Sequence, residues 1–186
     1  MPTITPHKEL IFTGEIASGA RGARARLVQE WLGLQGHGVA IDNDYGGATE
    51  TAVEGFQVAR GLAATGRVDE ATVAALTAPM QAALAPLAVP AGGLEDAAVA
   101  VAGQHLAPHP REVGGGNSGP WVRFPMNGRH GKAWPWCAGF ACFILRQACD
   151  TPGQFMAVSQ DRFLRQVGGV RQGTPSAYHR RRVRVY

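Results

Sequence analysis

Apolar positions in this chain recur at helical spacing in five stretches and alternate in a strand-like way in one. Residues 23–34 (ARARLVQEWLGL) place Leu27, Trp31 and Leu34 at i, i+4 and i+7, one face of a helix. Gly33, Gly36 and Gly38 then break the pattern. A second helix is predicted over residues 48–60, with Thr49, Ala52, Val53 and Phe56 inward, Glu50 and Glu54 outward, and Gly61 as C-cap. A third starts at Asp69, a favoured N-cap residue, and carries Thr72, Ala75 and Leu76. Residues 94–106 form a small-residue helix with Glu95 and Asp96 in its first turn, where the helix dipole favours acids; Pro108 and Pro110 stop it. The fifth helix spans residues 137–149, with Phe140, Ile144, Leu145 and Ala148 at helical spacing. Alternation is confined to RVRVY at the C-terminus, which predicts one short strand.

The second and third helices repeat each other at a period of 23. Tyr45 aligns with Val68, Thr49 with Thr72, Ala52 with Ala75 and Val53 with Leu76. Each half is a turn, an apolar anchor and T-x-x-A-(V/L). One such unit cannot bury its apolar face alone, so two copies packed on the first helix predict one small core. The stretch 77–93 (TAPMQAALAPLAVPAGG), with Pro79, Pro86 and Pro90, reads as a linker or as a short helix interrupted by prolines. Residues 111–135 are Gly-rich and irregular, and a loop that long is functional or disordered. Within it Trp121 and Trp134 are assigned to core packing in preference to stacking on sugar rings.

The segment running GARGARARLVQEWLGLQG through DNDYGGATETAVEGFQVARGLAATGRVDEATVAAL resembles the peptidoglycan-binding-like helical domain of cell-wall hydrolases. The matching positions are the Gln29–Leu32 region, Asp44-Tyr45-Gly46, Thr49, Ala52-Val53, Phe56-Gln57, Gly61-Leu62, Thr65-Gly66, Val68, Thr72 and Leu76; Thr65-Gly66 stands where the family often has an acidic-Gly pair. The resemblance implies a three-helix fold that docks glycan or stem peptide.

The chemistry centres on Trp136-Cys137-Ala138-Gly139-Phe140, a cysteine at the start of an apolar helix. A helix N-terminus carries partial positive charge and unused N–H groups, surroundings that favour a thiolate, the nucleophilic form. Cys142 and Cys149 are read as inert core residues. All three cysteines lie on one helix, neighbours about 7.5 and 10.5 Å apart along its axis, too far for intrachain disulfides. With no C-x-x-C pair, and with Pro108 between His105 and His109, no metal site is predicted, and no cofactor is called for.

Residues 94–150, with REVGGGNSGPWVRF and WPWCAGFACFILRQA, resemble the catalytic start of CHAP-type and NlpC-type hydrolases of the papain-like group. The matching positions are Glu112, the Gly-rich run with Asn117 and Gly119-Pro120, and Trp136-Cys137-Ala138. The resemblance implies that the Cys137 thiolate attacks an amide of the stem peptide or cross-bridge. Glu112, Asn117 and Trp136 would line the substrate. It implies a histidine base on a later strand; His179 is the histidine downstream of Cys137 and takes that role. The tail VGGVRQGTPSAYHRRRVRVY does not continue the family pattern, so the domain is expected to be truncated after about residue 165.

Charge adds one distinction. Residues 161–186 carry seven arginines against Asp161, whereas the first 160 residues carry eleven basic against thirteen acidic side chains. The basic balance belongs to the tail, which lacks the interleaved aromatics of a nucleic-acid binder and reads as a solvated terminus. No apolar run approaches the ~20 residues of a membrane span. No signal peptide is visible in the first twenty residues, so the protein is expected to be made in the cytoplasm and to act at the cell wall, released by a holin-type partner.

The expectation is therefore an α+β, mostly α protein. Residues 1–19 are a leader, 20–78 a three-helix peptidoglycan-binding module, 79–93 an Ala/Pro-rich linker and 94–186 a short papain-like domain with an incomplete sheet. The expected function is an endolysin-like wall hydrolase with peptidoglycan as its partner. The alternative is a non-catalytic wall binder with a degenerate or truncated hydrolase domain.

Overall fold

The computed structural model describes residues 9–11, 13–87 and 93–149. His179, the terminal alternating stretch and the arginine-rich tail lie outside these residues. The protein is mostly helical: α1 Ala23–Leu34, α2 Gly47–Ala59, α3 Glu70–Leu84, α4 Leu94–Leu106, α5 Pro120–Arg123 and α6 Cys137–Cys149. Extended pairing among the described residues is limited to two isolated antiparallel bridges, Ile16 with Val68 and Arg21 with Asp44. This agrees with the mostly α expectation; the one strand predicted for the incomplete sheet lies outside the described residues.

Side-chain caps set the starts of α3 and α4. The Asp69 carboxylate accepts the Thr72 N–H at 2.8 Å and caps α3. The Asp96 carboxylate reaches back to the Gly93 N–H at 3.3 Å, closing the first turn of α4. α3 runs through Pro79 to Leu84, into the stretch expected to be linker. Proline removes a helix donor, but Met80 and Ala83 beyond it are completely buried, and that burial carries the helix past the break.

The buried face of α1 differs from the predicted stripe. Ala25, Val28, Trp31 and Leu32 are buried, and so are Gln29 and Glu30, whereas Leu27 and Leu34 are only partly covered. The reason is tertiary. α2 and α3 pack on one side of α1, and α5 with its preceding loop covers another, so the helix is enclosed over most of its circumference. One apolar core therefore joins Tyr45, Val53, Phe56, Leu76 and Met80 of the first half to Trp121 and Phe124 of the second. A smaller cluster of Ala97, Val101, Ile144 and Ala148 lies between α4 and α6, with Phe143 touching both cores.

Candidate functional site

Cys137 is the first residue of α6, and it is exposed. The residue before it is held from the Gly-rich loop: the Trp136 indole N–H donates to Glu112 Oε1 at 2.9 Å. The other oxygen of the same carboxylate, Oε2, accepts the backbone N–H of Asn117 at 2.9 Å. The Asn117 carbonyl in turn accepts the Gly131 N–H, and Asn117 sits at φ 50°. Asn tolerates the left-handed region better than other non-glycine residues, which is why it serves at this turn. Glu112 is thus a strut that fixes the loop and the tryptophan beside the thiol. Trp136 also packs edge-on against Phe140 one turn into α6, with ring centroids 5.5 Å apart.

His105 is a buried histidine packed on α6, and its hydrogen-bond partner there is Gln147, near the end of the helix opposite Cys137. The His105 Nε2 lies 2.7 Å from Oε1 of Gln147, a residue ten positions, or about 15 Å of helix rise, beyond Cys137. Gln147 Nε2 donates to the Ala83 carbonyl, so its oxygen faces the ring and His105 carries the proton on Nε2. Trp121, Phe140 and Phe143 surround the ring edge-to-face, and Nδ1 has no hydrogen-bond partner among the described residues. Burial holds its pKa below the ordinary 6.5, against the opposing effect of the Gln147 hydrogen bond. Of the other cysteines, Cys149 is buried, and burial pushes the half-buried Cys142 thiol above its ordinary pKa.

In the first half of the chain two buried glutamines organise the repeat. Gln29 Nε2 donates to Asp42 Oδ1, the Asp44 carbonyl and Thr49 Oγ1, at 2.7, 3.0 and 3.1 Å, while its oxygen accepts the N–H groups of Asp42 and Asn43. Gln57 repeats this pattern with partners that each lie 23 residues further on. It donates to Thr65 Oγ1, the Arg67 carbonyl and Thr72 Oγ1, at 3.2, 2.7 and 3.0 Å, and accepts from Thr65 and Gly66. Each amide replaces the water that the turn's backbone groups lose on burial. Tyr45 links the halves by donating from its buried hydroxyl to the Gly66 carbonyl at 2.7 Å. Burial, then the charges of Glu50 and Glu54, raise the pKa of that phenol well beyond its normal range. This duplicated, glutamine-pinned turn-and-helix unit is the structural form of the sequence repeat. Residues 21–76 match the family model described as a putative peptidoglycan binding domain. This segment is similar to a peptidoglycan-binding domain. The match ends before the cysteine segment. No curated protein matches the chain.

The residues singled out from sequence thus have different standings in the structure. Glu112, Asn117 and Trp136 are brought together by hydrogen bonds, with Cys137 next in the chain. His179 lies outside the described residues, and among the described residues no hydrogen bond joins Cys137 to a histidine. Trp121 is core, but Trp134 is 42% exposed with the Arg129 guanidinium 4.8 Å from its ring centroid, so its assignment to core packing is corrected. Its neighbours in the chain are held in tight loop turns, and these leave the ring on the surface.

The sequence reading missed the residues that fasten the second half to the peptidoglycan-binding module. Arg123 donates to Glu9 at 2.7 and 2.8 Å and to both carboxylate oxygens of Glu30, and Glu30 also accepts from Arg26 at 2.8 Å. Burial alone would disfavour the Arg123 charge. The hydrogen bonds and charges of Glu9 and Glu30 outweigh it and raise the guanidinium pKa above its ordinary value. The visible signal was Arg26 and Glu30 at i, i+4, which from sequence is indistinguishable from a solvated surface pair.

Proposed function

We propose that the protein is a peptidoglycan-directed cysteine hydrolase of the endolysin kind, acting at the cell wall. Its module at residues 21–76 binds the wall, and Cys137 attacks an amide of the stem peptide or cross-bridge. The observation that carries this reading is the exposed thiol at the first residue of α6, placed beside a loop that Glu112 ties to both Trp136 and Asn117. Attack by the thiolate on the amide carbonyl forms a tetrahedral oxyanion, and N–H groups of the first turn of α6 are suitable donors to it. Collapse forms a thioester and expels the amine, which takes a proton from the base; water then releases the acid. In this reading Glu112 positions the loop and Trp136 and Asn117 line the substrate. His179 supplies the base, and a holin-type partner gives access to the wall.

A second reading is a wall binder without hydrolysis. It is favoured by His105, the buried histidine packed on α6, being committed to Gln147. Purified peptidoglycan incubated with the wild type and with Cys137→Ala separates the two. The hydrolase predicts that both proteins pellet with the wall and that only the wild type releases soluble fragments. Pelleting of both with no release establishes the binder. Failure of both to pellet removes the wall as the ligand.

A further inference from the structure

The cysteine helix has little core of its own. The fully enclosed part of the cluster between α4 and α6 is Ala97, Val101, Ile144 and Ala148, with Leu94, Phe140 and Phe143 only partly covered beside it, and two helices with so small a core are not stable alone. What secures them comes from the peptidoglycan-binding module and its helix extension. Trp121 of α5 and Phe124 just after it enter the module's core, and Phe143 of α6 reaches the same core. Arg123 is clamped between Glu9 and Glu30, with the Glu30 side chain fully buried. Arg111 donates to the carbonyls of Gly33 and Leu34 at the end of α1, at 2.7 and 3.1 Å. Gln104 of α4 donates to the Ala82 and Ala85 carbonyls, and Gln147 of α6 to that of Ala83, all at the end of α3.

We infer that wall binding and the order of the cysteine helix are linked: peptidoglycan held by the module stabilises α6 through the shared core. A ligand that binds only the folded module lowers the population of any opening that dissolves its site by the factor 1 + [L]/Kd. Because the α4–α6 cluster is too small to hold α6 by itself, and Phe143 and Gln147 tie the helix to the shared core and to α3, α6 opens together with the shared core and its amides inherit the same factor. The helix that presents Cys137 is then held most firmly when the protein is seated on the wall. The inference rests on the wall being the module's ligand and not on Cys137 being a nucleophile.

Amide hydrogen exchange on the full chain tests it, with muramidase-solubilised peptidoglycan fragments as the probe. At fragment concentrations ten times the calorimetric Kd, the slowest amides of α1 and those of residues 143–147 are expected to slow together, by about tenfold. Slowing in α1 with unchanged exchange in α6 overturns the linkage. Fragments that give no calorimetric binding defeat the wall-binding reading itself, and the linkage falls with it. Linkage is reciprocal, so a ligand-free arm separates coupling from direct contact of fragments with α6. Ile144→Ala, in the α4–α6 cluster, is expected to speed exchange in α1 by the same factor as in α6, or to unfold both together. Loss of protection confined to α4 and α6 overturns the proposal.

Discussion

At the scale of single residues, the polar groups inside this protein decide more than the apolar ones. Gln29 and Gln57 are surrounded by donors and acceptors that match them, so their burial organises the turns without leaving unmet hydrogen bonds. His105 differs, because one ring nitrogen has a partner and the other has none among the described residues. Burial depresses its pKa in the folded state below the ordinary 6.5. Between those two values the unfolded chain binds more protons, so stability rises with pH across this window. The stabilising contribution of neutral His105 is fully present above about pH 6.5 and is lost as pH falls toward the folded-state value. Chemical denaturation from pH 7.5 to pH 5 is therefore expected to show a falling unfolding free energy in the wild type and a shallower fall in His105→Gln. Equal slopes in the two proteins would show that His105 is not the group responsible.

At the scale of elements, short connections hold the helices in register. Gly119 precedes α5 at φ 106°, a conformation that L side chains rarely adopt. A Cβ there would sit 2.7 Å from Val113 Cγ1 and 3.1 Å from the Val113 nitrogen. Backbone cannot move away as a flexible side chain can, and the Val113 N–H is already bound to the Ser118 carbonyl at 3.0 Å. Gly119→Ala is expected to cost about 1–3 kcal/mol in urea unfolding, the range for a strained backbone position. A cost below 0.5 kcal/mol, the scale of an ordinary surface substitution, would mean that the loop relaxes freely. The five longer helices were legible from their apolar spacing and from features such as Asp69. α5 was not, because a single turn leaves too few residues for a period to appear.

At the scale of the whole molecule, the two halves share one interior. Replacing Arg123 by methionine would keep much of its apolar stem and leave Glu9 and Glu30 without their buried counter-charge. Arg123→Met is expected to destabilise the protein by about 3–5 kcal/mol, the cost of breaking a buried ion pair from one side. Thermal unfolding followed by far-ultraviolet dichroism and tryptophan fluorescence should remain one transition at a lower midpoint. A first transition that leaves the module's helices intact would show that the halves melt separately. The same network explains why a module-and-linker picture was the natural reading of the sequence. Charged residues such as Glu30 and Arg123 carry no mark of burial until a partner distant in the chain arrives.

The sequence by itself determined the five longer helices and their order, the 23-residue repeat and the position of Cys137 at a helix start. These follow from periodicity, capping and turn chemistry, which act between residues a few positions apart. Tertiary structure decided which faces are buried and which polar groups pay no penalty for burial. It turned α1 so that Glu30 and Gln29 lie inside, carried α3 past Pro79, drew Glu112 to Trp136 and Asn117, and closed the second half onto the first. Those outcomes depend on pairs such as Glu9 and Arg123, and Arg111 and Gly33. Their energy exists only when distant segments meet and exclude water, so no local pattern records it.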